Sequence, residues 1–174
     1  MSASGPRWNA LAGAGLIGYN SRVRSRVCGL KLELSFPSDP RLLRVIRSVV
    51  GQMAGLCGFE EDEAQFIVVA VDEACANIIR HAYGGRTDGD IRLACSTEDD
   101  RIEFTLTDRG RAPQHVARLQ PRPLEEVRPG GLGMHLIRSV MDEVRFRFGE
   151  EENQLQLTKL LHPGRRVQSG AIIE

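Results

Sequence analysis

From Val68 to Tyr83 the chain is mostly apolar, with no Gly or Pro to interrupt it. Such a run reads as a helix packed into a core, continuous from about Glu60 to Tyr83. Ile67, Val71, Ala74 and Ile78 recur at helical spacing and mark the face turned inward. Glu73 and Asn77 are four apart, so they stand one above the other on a single face. Phe66, Val69, Ala70 and Ala76 flank them. A carboxylate and an amide in apolar company are costly to bury unless something polar meets them.

The segments on either side define what surrounds this helix. Leu30 to Phe36 alternates apolar and polar residues, the pattern of a half-buried strand, and Pro37 ends it. Ser38 or Asp39 can cap a following helix with Pro40 in its first turn. That helix sets Leu42, Leu43, Ile46, Val49, Val50 and Met53 on one side and stops near Gly55 or Gly58. Glu60 to Glu63 suit the positive end of the central helix dipole, and Gly84-Gly85 terminates it. Ile91, Leu93 and Cys95 alternate in one strand. Ile102, Phe104 and Leu106 alternate in the next, and the same period turns Asp108 toward the core. Residues 109–130 hold four prolines and no regular pattern, which reads as a functional lid. Gly131-Leu132-Gly133 opens a third helix with Met134, Leu136, Ile137, Val140 and Met141 as its apolar positions. Val144, Phe146 and Phe148, then Leu155 and Leu157, mark two closing strands. This order predicts an α/β (α+β) fold, a two-layer sandwich with a mixed or antiparallel sheet covered by three helices.

Composition narrows the classes of function. The length of 174 residues fits one domain. The expected organisation is a basic, disordered extension over 1–28, a folded domain over 29–162 and a polar tail over 163–174. Basic and acidic residues balance at 23 each, which argues against bulk attraction to nucleic acid or a membrane surface. No segment has the roughly 20 apolar residues of a membrane span. Cys28, Cys57, Cys75 and Cys95 form no CxxC pair and read as small hydrophobes in a reducing cytosol.

A nucleotide would meet Glu73, Asn77, Asp108 and the Gly-x-Gly together. Glycines at a helix N-terminus let backbone amides approach phosphate, and the dipole favours its charge. Asn77 can give one oxygen to a Mg²⁺ that takes its other ligands from phosphates and water. Glu73, one turn away, can orient or deprotonate a hydroxyl nucleophile. Asp108, an acceptor when ionised, suits the exocyclic amine of adenine. Each feature alone has an ordinary reading: a solvated helix edge, a strand-ending turn, a loose helix start.

Three segments carry a resemblance. Glu73-Ala74-Cys75-Ala76-Asn77-Ile78-Ile79-Arg80-His81-Ala82-Tyr83, Asp108-Arg109-Gly110 and Gly130-Gly131-Leu132-Gly133-Met134-His135-Leu136-Ile137 resemble the three nucleotide-binding boxes of the GHKL ATPase superfamily. Within it, the anti-sigma-factor serine/threonine kinase branch is the most similar, and Met141-Asp142-Glu143-Val144 and Leu157-Thr158-Lys159 also fit it. The resemblance spans about residues 30–161. It implies the Bergerat fold and an ATP-Mg²⁺ site under a lid. By matching position, Glu73 would be the catalytic base, Asn77 the Mg²⁺ ligand and Asp108 the adenine contact. Gly110 would line the base pocket, Gly131 and Gly133 would hold phosphate, and Thr158 would sit near the adenine. Arg128 would either reach a phosphate from the lid or be solvated there. The segment after Gly110 reads Arg111-Ala112-Pro113-Gln114-His115, where many relatives carry a Pro-Phe-Asp-Pro-like run.

The function implied is a cytoplasmic, homodimeric protein serine/threonine kinase that acts as an anti-sigma factor. Its substrate would be a STAS-domain anti-anti-sigma protein, and a sigma factor its second partner. The alternative is an ATP-responsive binding module without significant kinase activity. A sensor histidine kinase is disfavoured, because no His precedes His81.

Overall fold

The computed structural model describes residues 28–112 and 132–161. Residues 1–27 of the basic extension, 113–130 of the lid and the polar tail lie outside them. Five strands form one sheet: β1 (Lys31–Pro37), β2 (Asp90–Thr97), β3 (Arg101–Asp108), β4 (Glu143–Phe148) and β5 (Asn153–Leu160). Their order across the sheet is β1-β2-β3-β5-β4, and every neighbouring pair is antiparallel. Three helices complete the fold: α1 (Leu43–Cys57), α2 (Glu61–Asn77) and α3 (Leu132–Val140). The sequence order of strands and helices is the observed one, with the sheet wholly antiparallel.

The core is where the two periodicities meet. Leu43, Ile46, Val50 and Met53 of α1 and Ile67, Val71 and Ala74 of α2 are buried. They share one cluster with Ile91 and Leu93, Phe104 and Leu106, and Leu155 and Leu157 of the inner strands. Phe104 is fully buried, and truncating such a side chain costs about 3–5 kcal/mol. The edge strands are more open. In β1 only Phe36 is buried, while Leu32 is exposed, and in β4 Phe148 is exposed. An edge position also accommodates Pro37, which has no N–H to offer a further neighbour.

Local chemistry sets the ends of the elements. Asp39 caps a single 3-10 turn, Pro40–Leu42, by accepting from Arg41 N at 2.9 Å. Ser38 is fully buried and does something else. Its Oγ donates to Arg86 O at 2.6 Å and accepts from Gly89 N at 3.0 Å. Gly58 closes α1 at φ 105°, a left-handed conformation that favours glycine.

The central helix is not continuous. α2 ends at Asn77, and Ile78–Ala82 form a π-helical turn. Tyr83 N bonds to Ile78 O at 3.1 Å and Gly85 N to Ile79 O at 2.8 Å. Ile78 and Ile79 are both buried. Turns of this kind are frequent at functional sites.

The strand order places the site. β5 lies between β3 and β4, so the chain leaves β3, crosses by α3 to the sheet edge and turns back inward. That brings Asn153, the first residue of β5, opposite Asp108, the last of β3.

Candidate functional site

Glu73 and Asn77 are half-buried on the last turns of α2. Their side chains converge on one guanidinium. Arg80 Nη2 lies 2.8 Å from Glu73 Oε1 and 3.1 Å from Asn77 Oδ1. Arg80 Nε donates to Ala76 O at 3.2 Å, which holds the fork against the helix end. The face that sequence periodicity gives to Phe66 and Val69 is open, with those residues 51% and 46% exposed.

Gly133 closes the other side of this pair. A Cβ there would land on Glu73 Oε1, 2.7 Å from its Cδ and 2.9 Å from its Cγ. The helix backbone therefore runs flush against the carboxylate, and a side chain at 133 would have to push Glu73 out of this conformation. A cleft of about 360 Å³ opens between α2 and α3, lined by Val69, Asp72, Glu73, Arg80, Leu132, Gly133 and Leu136. Asp72 pairs with Arg47 of α1 at 3.0 Å. Burial raises the Asp72 carboxyl above its ordinary range, and Arg47 opposes that rise.

Asp108 is buried at the end of β3, as the period of two predicts. Its Oδ1 accepts from Gly110 N at 2.8 Å and Asn153 Nδ2 at 3.1 Å. Burial raises its carboxyl from the ordinary value, and the bonds from Asn153 and Gly110 partly offset this. Asn153 Nδ2 also donates to Gly110 O at 3.0 Å. Gly110 packs so closely on the π-turn that a Cβ would lie 2.7 Å from Ala82 O.

Tyr83 ties the two ends of the site together. Its hydroxyl donates to Asp90 O at 2.6 Å and accepts from Arg109 N at 3.1 Å. Gly89 lies beneath its ring, where a Cβ would be 2.6 Å from Cζ. Arg111 N bonds to Ala82 O at 2.9 Å. The stretch that follows Asn77 thus holds the Asp108–Gly110 turn in place.

Of the sequence candidates, the structure brings Glu73, Asn77 and Gly133 together at one end, and Asp108 and Gly110 at the other. Arg128 and Gly131 lie outside the described residues. Thr158 joins neither group. It is buried, but its place in β5 turns it to the face opposite Asn153, Leu155 and Leu157, with Glu103 and Glu143 as its strand partners. It lies about 17 Å along the strand from Asn153. The β5 side chain that reaches Asp108 is Asn153, a neighbour that only the β3–β5 pairing reveals. Arg80 and Tyr83 were also missed, although both lie within the first motif. Asp142 explains another part of the pattern. Its Oδ2 accepts from Leu160 N at 2.8 Å and pairs with Lys159 Nζ at 3.2 Å, fastening the end of α3 to β5.

Residues 36–159 match the histidine kinase-like ATPase domain family. The chain belongs to that family. Relatives refine its place within it. Serine-protein kinase RsbW from Bacillus subtilis (strain 168) is 29% identical over 150 residues, covering 82% of this chain and 92% of the relative. Serine-protein kinase RsbW from Halalkalibacterium halodurans is 32% identical over 123 residues, covering 67% and 75%. The RsbU and RsbW domains of a Mycobacterium tuberculosis protein have the same fold, with a TM-score of 0.56 at 20% identity. That match covers 79% of this chain and 34% of the other. The chain is therefore a GHKL protein of the RsbW serine-protein kinase branch, and membership implies ATP as its nucleotide.

The residues present fit a magnesium ion that arrives with phosphates. Asn77 Oδ1 and Glu73 Oε1 already converge on a cation, and one amide oxygen is the kind of sparse donor set such a metal uses. Among the described residues no three His, Cys, Asp or Glu could hold a metal by themselves.

Proposed function

We propose that this chain is an ATP-dependent protein serine/threonine kinase and anti-sigma factor. Its substrate is a serine or threonine on a STAS-domain anti-anti-sigma protein, and a sigma factor is its alternative partner. The observation that carries the reading is the convergence of Glu73, Asn77 and Gly133 on one point.

In this reading each residue has a defined task. Asp108 accepts from the exocyclic amine of adenine through Oδ2, since Oδ1 already takes Gly110 N and Asn153. Gly110 and Asn153 hold that carboxylate in place. Gly133 leaves room for phosphate at the start of α3, where the helix dipole favours negative charge. Asn77 orients the metal-bound phosphates. A Mg²⁺ held by Asn77 together with the phosphates would offset the phosphate charge. Glu73 accepts the proton of the attacking hydroxyl as its oxygen bonds to the γ-phosphorus and the bond to the departing ADP breaks. Arg128 and Gly131 are assigned to phosphate by motif position. Cytoplasmic location and a homodimeric state complete the reading.

The test is phosphate transfer from ATP to a STAS-domain protein in Mg²⁺. Glu73→Ala should abolish transfer and keep nucleotide binding. If wild type binds ATP but transfers nothing, the kinase reading fails. One observation favours the second reading, an ATP-responsive binder. Glu73 Oε1 is already engaged by Arg80. That reading requires partner regulation to survive Glu73→Ala unchanged.

A further inference from the structure

The Arg80 fork is more than a helix-end contact, because both oxygens it holds are those assigned to the reaction. We infer that Arg80 is a resident counter-ion of Glu73 and Asn77, and that it must release Asn77 before that oxygen can serve a metal nucleotide. This rests on the ATP-Mg²⁺ reading above.

The argument is one of distances and charge. Arg80 Nη2 sits 3.1 Å from Asn77 Oδ1, and a metal ligated by that oxygen would sit about 2.1 Å from it. The two cations would then lie no more than about 5 Å apart, where like charges repel strongly in a partly desolvated cleft. Glu73 Oε1 lies 2.8 Å from the same nitrogen, so a substrate hydroxyl approaching that oxygen would compete with the Arg80 fork for it. Release itself is easy. The Arg80 side chain is 54% exposed, so the fork can swing into water without leaving a buried charge behind. Arg80 thus keeps the carboxylate and amide satisfied and makes metal binding a displacement.

An ordinary surface ion pair would change stability slightly and nothing else. Displacement changes the metal requirement, so the experiment reads that. The full chain is titrated with Mg²⁺ in the presence of fluorescent methylanthraniloyl-ADP, which binds without turnover. Wild type, Arg80→Ala and Arg80→Lys are compared, with Arg80→Gln in place of the alanine variant if that does not fold. Arg80→Ala should lower the half-saturating Mg²⁺ concentration roughly two- to fivefold, the scale of one partly exposed ion pair. Arg80→Lys, which keeps the charge, should stay near wild type. An unchanged or raised Mg²⁺ requirement in Arg80→Ala overturns the inference while nucleotide binding stands. Failure of wild type to bind the nucleotide at any Mg²⁺ concentration overturns the underlying reading as well.

Discussion

Gly133→Ala sets two opposing effects against each other. Alanine is favoured over glycine in a helix by about 1 kcal/mol. Its Cβ, however, would be 2.7 Å from Glu73 Cδ and 2.9 Å from Cγ, with Oε1 closer still. Those atoms belong to the end of a flexible side chain, so Glu73 can rotate aside without moving either helix. Doing so forfeits its pair with Arg80, a half-exposed contact worth at most about 1 kcal/mol. The two terms nearly cancel, so the melting temperature should stay within about 4 °C of wild type. Activity should not survive so well. A displacement of about 1 Å in a catalytic group can cost about 10²-fold in rate. Phosphate transfer should therefore fall about a hundredfold in a protein that melts normally. In a Glu73→Ala background the same substitution meets no carboxylate and should stabilise by about 1 kcal/mol. Melting curves and transfer rates on the four proteins of this cycle check the reasoning. Full activity in Gly133→Ala, or equal destabilisation in both backgrounds, would refute it.

Other expectations follow from single contacts. Burial raises the Asp108 carboxyl, so its contribution to folding is present in full below the ordinary value of 3.8 and is lost as pH rises through the folded value. Asp108→Asn keeps an acceptor for Gly110 N and Asn153. It should melt no lower than wild type at pH 7, lose that advantage in acid, and bind ATP at least about tenfold more weakly. Tyr83→Phe leaves Arg109 N and Asp90 O without their shared hydroxyl. It should cost about 1–3 kcal/mol in denaturant melts and speed hydrogen exchange at residues 109–111. The Cys75 and Cys95 thiols are pushed up to about 12, chiefly by burial, and Cys57 is buried, while Cys28 is exposed. A thiol reagent should modify Cys28 first and the other three only on unfolding.

Periodicity made most of the scaffold legible. Alternation through Ile91–Cys95 and Ile102–Leu106 predicts the inner faces of β2 and β3, and its continuation predicts a buried Asp108. The spacing of Ile67, Val71 and Ala74 likewise predicts the buried stripe of α2. Glu73 and Asn77 stand out by being polar at helical spacing. What stayed hidden depends on contacts between distant parts of the chain. Nothing in a linear pattern says that β5 inserts between β3 and β4, and only that insertion makes Asn153, not Thr158, the neighbour of Asp108. Arg80 looks like a solvated charge until the helix end turns its fork toward Glu73. The π-turn leaves no mark in hydrophobic spacing, because Ile78-Ile79 reads equally well as helix. The exposed Leu32 and Phe148 show the same limit, since alternation tells which face a strand turns inward and not whether the strand lies at an edge.

The π-turn also makes this site tolerant of a kind of change that point substitutions do not probe. Such a turn spends one residue more than an α-turn needs, in the manner of an insertion the fold has absorbed. Removing any one residue between Ile78 and Ala82 would let α2 run on as an ordinary helix with its hydrogen bonds intact. Four α-helical residues turn the chain by about 400°, close to what the five-residue π-turn covers, so Tyr83 N would still reach Ile78 O. Tyr83 would stay near Asp90 and Arg109, and the deletion would be felt by the side chains inside the turn, Arg80 among them. At this helix end the spare residue is a change of length that the fold can absorb.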